Sequence, residues 1–163
     1  GAVAALVAAN CDIKHSVMLD TPLYIALDHN DPSPKSYHKY LYQSTEEAIS
    51  RFKPIPNQPV VDEELLKIVA ESSLKKIDEG YVWQFDPSFH KRDISEEDQE
   101  LIKPMLHNMS YWYGEFSPFA TDKTLRRAKS MGLTLTMVPN AYHAVTLDNP
   151  SALLHMIEGM VEK

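Results

Sequence analysis

The chain has 163 residues, 44% of them hydrophobic and 24% charged, enough to bury roughly two thirds of its unfolded surface in one core. Its 16 basic and 23 acidic residues give a net charge of −7, a balance that argues against nucleic acid and anionic membrane as partners. The single cysteine, Cys11, has no partner for an internal bridge, which fits a reducing compartment, and the cytoplasm is the expected location.

The opening Gly1-Ala-Val-Ala-Ala-Leu-Val-Ala-Ala9 is apolar but too short to span a bilayer and has no basic head. Small residues on every face predict a helix packed closely against a sheet. Residues 13–20 (Ile-Lys-His-Ser-Val-Met-Leu-Asp) read as a short buried strand ending in an acid, and Thr21-Pro22 closes it.

From Leu23 to about Asn108 the texture changes to short amphipathic helices with proline-rich punctuation at residues 31–34, 53–59 and 103–104, as in an inserted helical layer. Ser44-Thr-Glu-Glu47 and Ser95-Glu-Glu-Asp98 match the capping-box pattern. Asp62 is the expected cap of a helix from Glu63 to Lys76, with Leu65, Leu66, Val69 and Leu74 as its apolar stripe. Residues 80–85 (Gly-Tyr-Val-Trp-Gln-Phe) alternate aromatic and polar side chains and predict a short strand or an extended crossing.

A further strand is expected at Met109–Gly114, a helix at Thr121–Met131 stopped by Gly132, a strand at Leu133–Val138, and a last helix from Pro150, at its favoured first-turn position, to about Val161. Outside the insertion the elements alternate helix, strand, strand, helix, strand, helix. That order predicts an α/β fold, a parallel sheet covered by helices.

His143, in the loop Asn140-Ala-Tyr-His-Ala-Val-Thr-Leu-Asp-Asn-Pro150, is the leading candidate for a general base, since an apolar strand delivers it and a helix start follows. No Gly-x-Ser-x-Gly elbow, nor an Asp or Cys variant, answers it, because the five glycines are isolated. His29, His38, His90 and His107 show no zinc spacing, so neither a metal nor a cofactor is expected. Cys11 lacks a basic neighbour that would activate it. Tyr37, Tyr40, Tyr42, Tyr81, Trp83 and Phe85 are candidates for lining an acyl pocket, and packing of the helical layer explains them as well.

Taken together, the small-residue helix, Ser16-Val-Met-Leu-Asp20, the helical insertion, Tyr111-Trp-Tyr-Gly-Glu115 and the His143 loop resemble the C-terminal portion of the α/β-hydrolase superfamily. Tyr40–Arg51 and Gly80–Pro87 are similar to its serine hydrolase-like subgroup. The resemblance implies the last three parallel strands of that fold with flanking helices, residues 1–22 and 109–163 as body and 23–108 as an inserted helical cap. It implies His143 as the general base, and Tyr81, Trp83 and Phe85 as substrate-binding.

For the acid there are two candidates. The family usually places it after the penultimate strand, where this chain has Ser117, and a hydroxyl cannot orient an imidazolium. Asp20, at the end of the preceding strand, is preferred, and Glu115 is the alternative. On this reading the chain is part of a serine esterase-like protein that lacks its nucleophile and is inactive alone. A small ester-like molecule would be the substrate of the intact protein, and the missing half or a second copy would cover the open edge of the strand before Asp20. A non-catalytic binding or interaction module is the alternative, as is an enzyme of the haloalkane dehalogenase or epoxide hydrolase type with an aspartate nucleophile.

Overall fold

Tyr111, Trp112 and Tyr113 put bulky side chains at successive positions of Met109–Gly114, and a strand buries such a sequence only when both faces of its sheet are covered. The computed structural model describes Cys11, Ile13 and residues 15–21, 40–85 and 103–161. Its described residues fall into two compact units, one from Gly1–Asp31 and Asp93–Lys163, the other from Pro32–Arg92. The helix expected at residues 1–9, the capping box at Ser95, and Tyr37, His29, His38 and His90 lie outside the described residues.

In the first unit, β1 (Ser16–Leu19), β4 (Met109–Gly114) and β5 (Thr134–Val138) form a parallel sheet in the order β1-β4-β5. Met18 stands opposite Tyr111, and Tyr111 opposite Leu135. The two-residue period of β4 divides the core. Met109 and Tyr111 face one side with Met18, Leu106, Ala128 and Leu133. Trp112 faces the other with Val138, Ala141, Val145 and Leu153. The first side is covered by α3 (Asp122–Ser130), through Leu125 and Ala128. The second is covered by α5 (Pro150–Val161), through Leu153, Met156 and Met160.

Local chemistry sets the ends of these helices. Thr121 caps α3 by accepting from Thr124 N–H at 3.2 Å. Asn149 accepts from Ala152 N–H at 3.1 Å in the first turn of α5 and donates its amide to the Pro139 carbonyl at 2.9 Å. The short helix α4 (Val145–Asp148), between the His143 loop and α5, has no counterpart in the expected elements.

The second unit holds α1 (Thr45–Ser50), α2 (Glu63–Ser72) and an antiparallel hairpin of β2 (Leu74–Ile77) and β3 (Gly80–Trp83). Ser44 caps α1 through Glu47 N–H at 3.2 Å, while Glu47 reaches back one residue beyond the cap, to Gln43 N–H at 3.0 Å. Asp62 caps α2 through Leu65 N–H at 2.8 Å.

The helix expected to run to Lys76 ends at Ser72 instead, and Leu74-Lys-Lys-Ile77 is a strand. Two contacts explain the break. Gln84 donates its amide to the carbonyls of Ser72 and Leu74 at 3.0 and 2.9 Å, satisfying acceptors that a continuing helix would have used. Gly80, at φ 145°, then approaches so near to the Tyr42 carbonyl that a Cβ would sit 2.4 Å from it. Tyr42 and Tyr81 exchange backbone bonds at 2.9 and 2.8 Å, extending the hairpin.

Among the described residues no helix is long and apolar enough to cross a membrane.

Candidate active site

The carboxyl ends of β1, β4 and β5 lie side by side, and in open parallel sheets this is where ligand-binding and reacting groups collect. Two of the three chains leave the sheet through a left-handed residue: Asp20 after β1 at φ 41°, and Asn140 after β5 at φ 51°. Asp and Asn are the residues besides glycine that enter this region most readily, at a cost that the surroundings must meet. At Asp20 the N–H donates to the Trp112 carbonyl at 2.7 Å, one more rung of the β1–β4 ladder, and the chain turns immediately after it.

That turn places the Asp20 carboxylate, wholly buried, against His143. His143 Nδ1 lies 2.9 Å from Asp20 Oδ2, across 123 positions of sequence. The histidine side chain keeps 22% of its surface accessible while that of Asp20 keeps none. The ring is therefore anchored by one nitrogen, and among the described residues nothing engages Nε2. A neutral imidazole so held carries its proton on Nδ1 and presents Nε2 as a proton acceptor.

Oδ2 has a second donor. Ser117 Oγ–H donates to the same Asp20 oxygen, and Ser117 Oγ in turn accepts from Phe119 N–H at 3.1 Å. The Phe119 ring meets the His143 ring edge-on, centroids 4.7 Å apart at 72°. The loop after β4 thus touches both members of the pair. Asp20 Oδ1 and the hydroxyl of Tyr111 are buried with no hydrogen-bond partner among the described residues. Burial, and secondarily the Asp20 carboxylate, push the Tyr111 phenol well above the ordinary tyrosine range.

The loop carrying His143 is tied down along its length. Glu115 N–H and Phe116 N–H donate to the carbonyls of Val138 and Ala141 at 3.0 and 2.9 Å. Tyr142 N–H donates to Asp148 Oδ2 at 2.9 Å. Beneath it Gly114 packs with no room for a side chain.

Glu115, the other carboxylate expected near the histidine, is exposed, and its Oε2 accepts from Asn140 N–H at 2.9 Å. It braces the left-handed turn. Ser117, Phe119 and Gly114 were not foreseen as site residues. The available signal was Ser117 itself, a small hydroxyl at the position where the resembled family places its acid.

Of the other sequence candidates, Cys11 is exposed and free, and His107 falls in the 3₁₀ turn Lys103–Asn108 that leads into β4. No group of three His, Cys, Asp or Glu side chains among the described residues is placed to hold a metal. In the second unit, Trp83 Nε1–H donates to the Tyr42 hydroxyl at 3.1 Å, and the Trp83 ring packs 5.2 Å from Phe52. Trp83 and Phe85, with Arg51, Phe52, Lys53 and Ile55, line an open cavity of about 650 Å³. Tyr81 is half-buried in β3 and does not line it.

Several solved structures superpose on nearly the whole chain. A thioesterase domain from the curacin biosynthetic pathway matches 97% of it with a TM-score of 0.69 at 18% identity. An esterase from Mycobacterium tuberculosis matches 100% with a TM-score of 0.72 at 17% identity. The fold is that of the α/β-hydrolases. A third α/β-hydrolase neighbour, E-2-(acetamidomethylene)succinate hydrolase, matches 98% with a TM-score of 0.62 at 15% identity. The chain spans 63%, 58% and 62% of these three structures respectively, less than two thirds of each. The three parallel strands with their flanking helices are consistent with part of that fold. No protein-family model and no curated protein matches the sequence.

Proposed function

We propose that this chain supplies the general base, His143, and the orienting acid, Asp20, of a serine hydrolase acting on small ester-like substrates, and that the nucleophile comes from polypeptide outside these 163 residues. The observation carrying this reading is the 2.9 Å contact between His143 Nδ1 and the buried Asp20 carboxylate, with Nε2 unengaged among the described residues. The esterase, thioesterase and hydrolase neighbours support the reaction class.

The chemistry follows from the pair. Nε2 takes the proton of an attacking hydroxyl as that oxygen bonds to the substrate's carbonyl carbon, then returns it to the departing alcohol, leaving an acyl-enzyme. Water, deprotonated by the same nitrogen, bonds to the acyl carbon; the acyl–oxygen bond then breaks, Nε2 returns the proton to the nucleophile's oxygen, and the acid departs. Asp20 holds the Nδ1–H tautomer and balances the imidazolium in each transition state. The family resemblance assigns Tyr81, Trp83 and Phe85 to substrate binding; Trp83 and Phe85 line a cavity within the second unit.

The 163-residue sequence contains no nucleophile elbow, so the chain by itself is expected to be inactive. β1 pairs with β4 on one side, and among the described residues no strand pairs with its other side. An open edge of this kind is a template for further strand pairing. We assign that place to the polypeptide that brings the nucleophile, or to a second copy.

The test has two arms. The purified chain is treated with a fluorophosphonate probe and assayed with p-nitrophenyl esters, and neither labelling nor turnover is expected. The protein encoded by the complete reading frame is assayed alongside, and is expected to turn over the esters with a loss of about 10³-fold or more in kcat on His143→Ala. Labelling of the isolated chain, or an unaffected His143→Ala enzyme, overturns the proposal.

A further inference from the structure

We infer that Ser117 is a positioning residue for the acid: it stands at the strand end from which the resembled family supplies a carboxylate, and it steers a carboxylate arriving from the neighbouring strand. The inference rests on the reading of Asp20 as the acid. Both donors, Ser117 Oγ–H and His143 Nδ1–H, converge on the one oxygen, Oδ2.

A carboxylate at the end of a strand has two oxygens and a rotatable terminal torsion, so a single bond to an imidazole leaves it free to rock. The second donor removes that freedom and assigns Oδ2 to the histidine. Oδ1, which lacks a hydrogen-bond partner among the described residues, gives no competing anchor. The hydroxyl is itself held, because Ser117 Oγ accepts from Phe119 N–H while the Phe119 ring rests against His143. One short loop therefore sets the acid through Ser117 and the base through Phe119.

The arrangement implies that the two strand ends are chemically exchangeable. An aspartate oxygen reaches roughly 1 Å farther from the backbone than a serine hydroxyl. An aspartate at 117 would carry its carboxylate part of the way from the Ser117 Oγ position toward the place Oδ2 now occupies, and a serine at 20 would leave a hydroxyl able to donate to it. The single Ser117→Asp change instead crowds two carboxylates around one imidazole, where like charges disfavour each other.

The measurement is solvent exchange of the low-field His143 Nδ1–H proton by NMR on the 15N-labelled chain, the resonance being assigned by its loss in His143→Gln. Ser117→Ala is expected to speed its exchange about tenfold, and Ser117→Thr, which keeps the hydroxyl, to stay within about twofold of the parent. Asp20→Ser is expected to abolish the resonance, and Asp20→Ser with Ser117→Asp to bring it back.

Asp20→Asn separates the two levels of the argument. If it leaves the resonance unchanged, Asp20 is not the partner and the underlying reading fails. If it abolishes the resonance while Ser117→Ala leaves exchange unchanged, the reading stands and the positioning role falls. Should Ser117→Ala not fold, the exchange pair decides: a folded double variant without the resonance overturns the inference.

Discussion

Gly114 lies so close beneath Tyr142 that a β-carbon on it would be 2.0 Å from the Tyr142 carbonyl oxygen, and 2.6 Å from that of Ala141. Both obstructing atoms are backbone, so no rotamer change relieves the clash. The loop that carries His143 is in this sense laid directly on the end of β4. Gly114→Ala is expected to cost about 2–4 kcal/mol and to separate His143 from Asp20. Gly159→Ala is the control: it lies within α5 with nothing within 4 Å, and is expected to gain up to about 1 kcal/mol. Urea unfolding of the two variants checks the pair, and equal effects would show that Gly114 is not sterically required.

The proposed function makes Asp20 and Glu115 separable in the protein encoded by the complete reading frame. Asp20→Asn replaces the acceptor facing Nδ1 with an amide that favours the wrong imidazole tautomer, and kcat is expected to fall by about 10³–10⁴. Glu115→Gln keeps an acceptor for Asn140 N–H, so its expected effect on kcat is less than about tenfold. Steady-state kinetics of both variants decide. A larger loss for Glu115→Gln than for Asp20→Asn would reverse the assignment.

The sequence carried the body of this fold well because its signals there are local. Met109–Gly114 and Pro150–Val161 form within the limits expected from their apolar pattern and from proline at the helix start. The hairpin was hidden because Leu74-Lys-Lys-Ile77 continues a helical stripe as readily as it alternates. What decides is the Gln84 amide, ten or more positions away, on the carbonyls of Ser72 and Leu74. At the candidate site, the strand before His143 and the helix from Pro150 were legible in the sequence. The convergence of Ser117 and His143 on one oxygen of Asp20 joins residues 97 and 123 positions from it, and no periodicity encodes such a meeting.

Tyr111 gives a stability prediction with a definite sign in pH. Its phenol is buried without a hydrogen-bond partner among the described residues, and burial, then the Asp20 charge, raise its pKa. The folded state therefore holds this proton more tightly than the unfolded chain, whose tyrosines ionise near about pH 10. Below that pH the contribution is fully present, and it is lost as pH rises further. Tyr111→Phe is expected to be neutral, or stabilising by about 1 kcal/mol, at pH 7. It should also flatten the alkaline loss of stability above about pH 10. Denaturation midpoints from pH 7 to 11 test both, and a large loss at pH 7 would mean that the hydroxyl has a partner.

Asn149 joins two elements with one amide, Oδ1 on the first turn of α5 and Nδ2 on the Pro139 carbonyl at the end of β5. Because the His143 loop spans between those two points, this side chain closes the loop at its base. Asn149→Ala removes both bonds and is expected to cost about 1–2 kcal/mol. Asn149→Asp keeps the acceptor that caps the helix but loses the donor to Pro139, and should recover roughly half of that. Chemical denaturation of the three proteins measures the series. If the aspartate variant matches the parent, capping alone accounts for Asn149, and the tie to β5 contributes nothing to holding the loop.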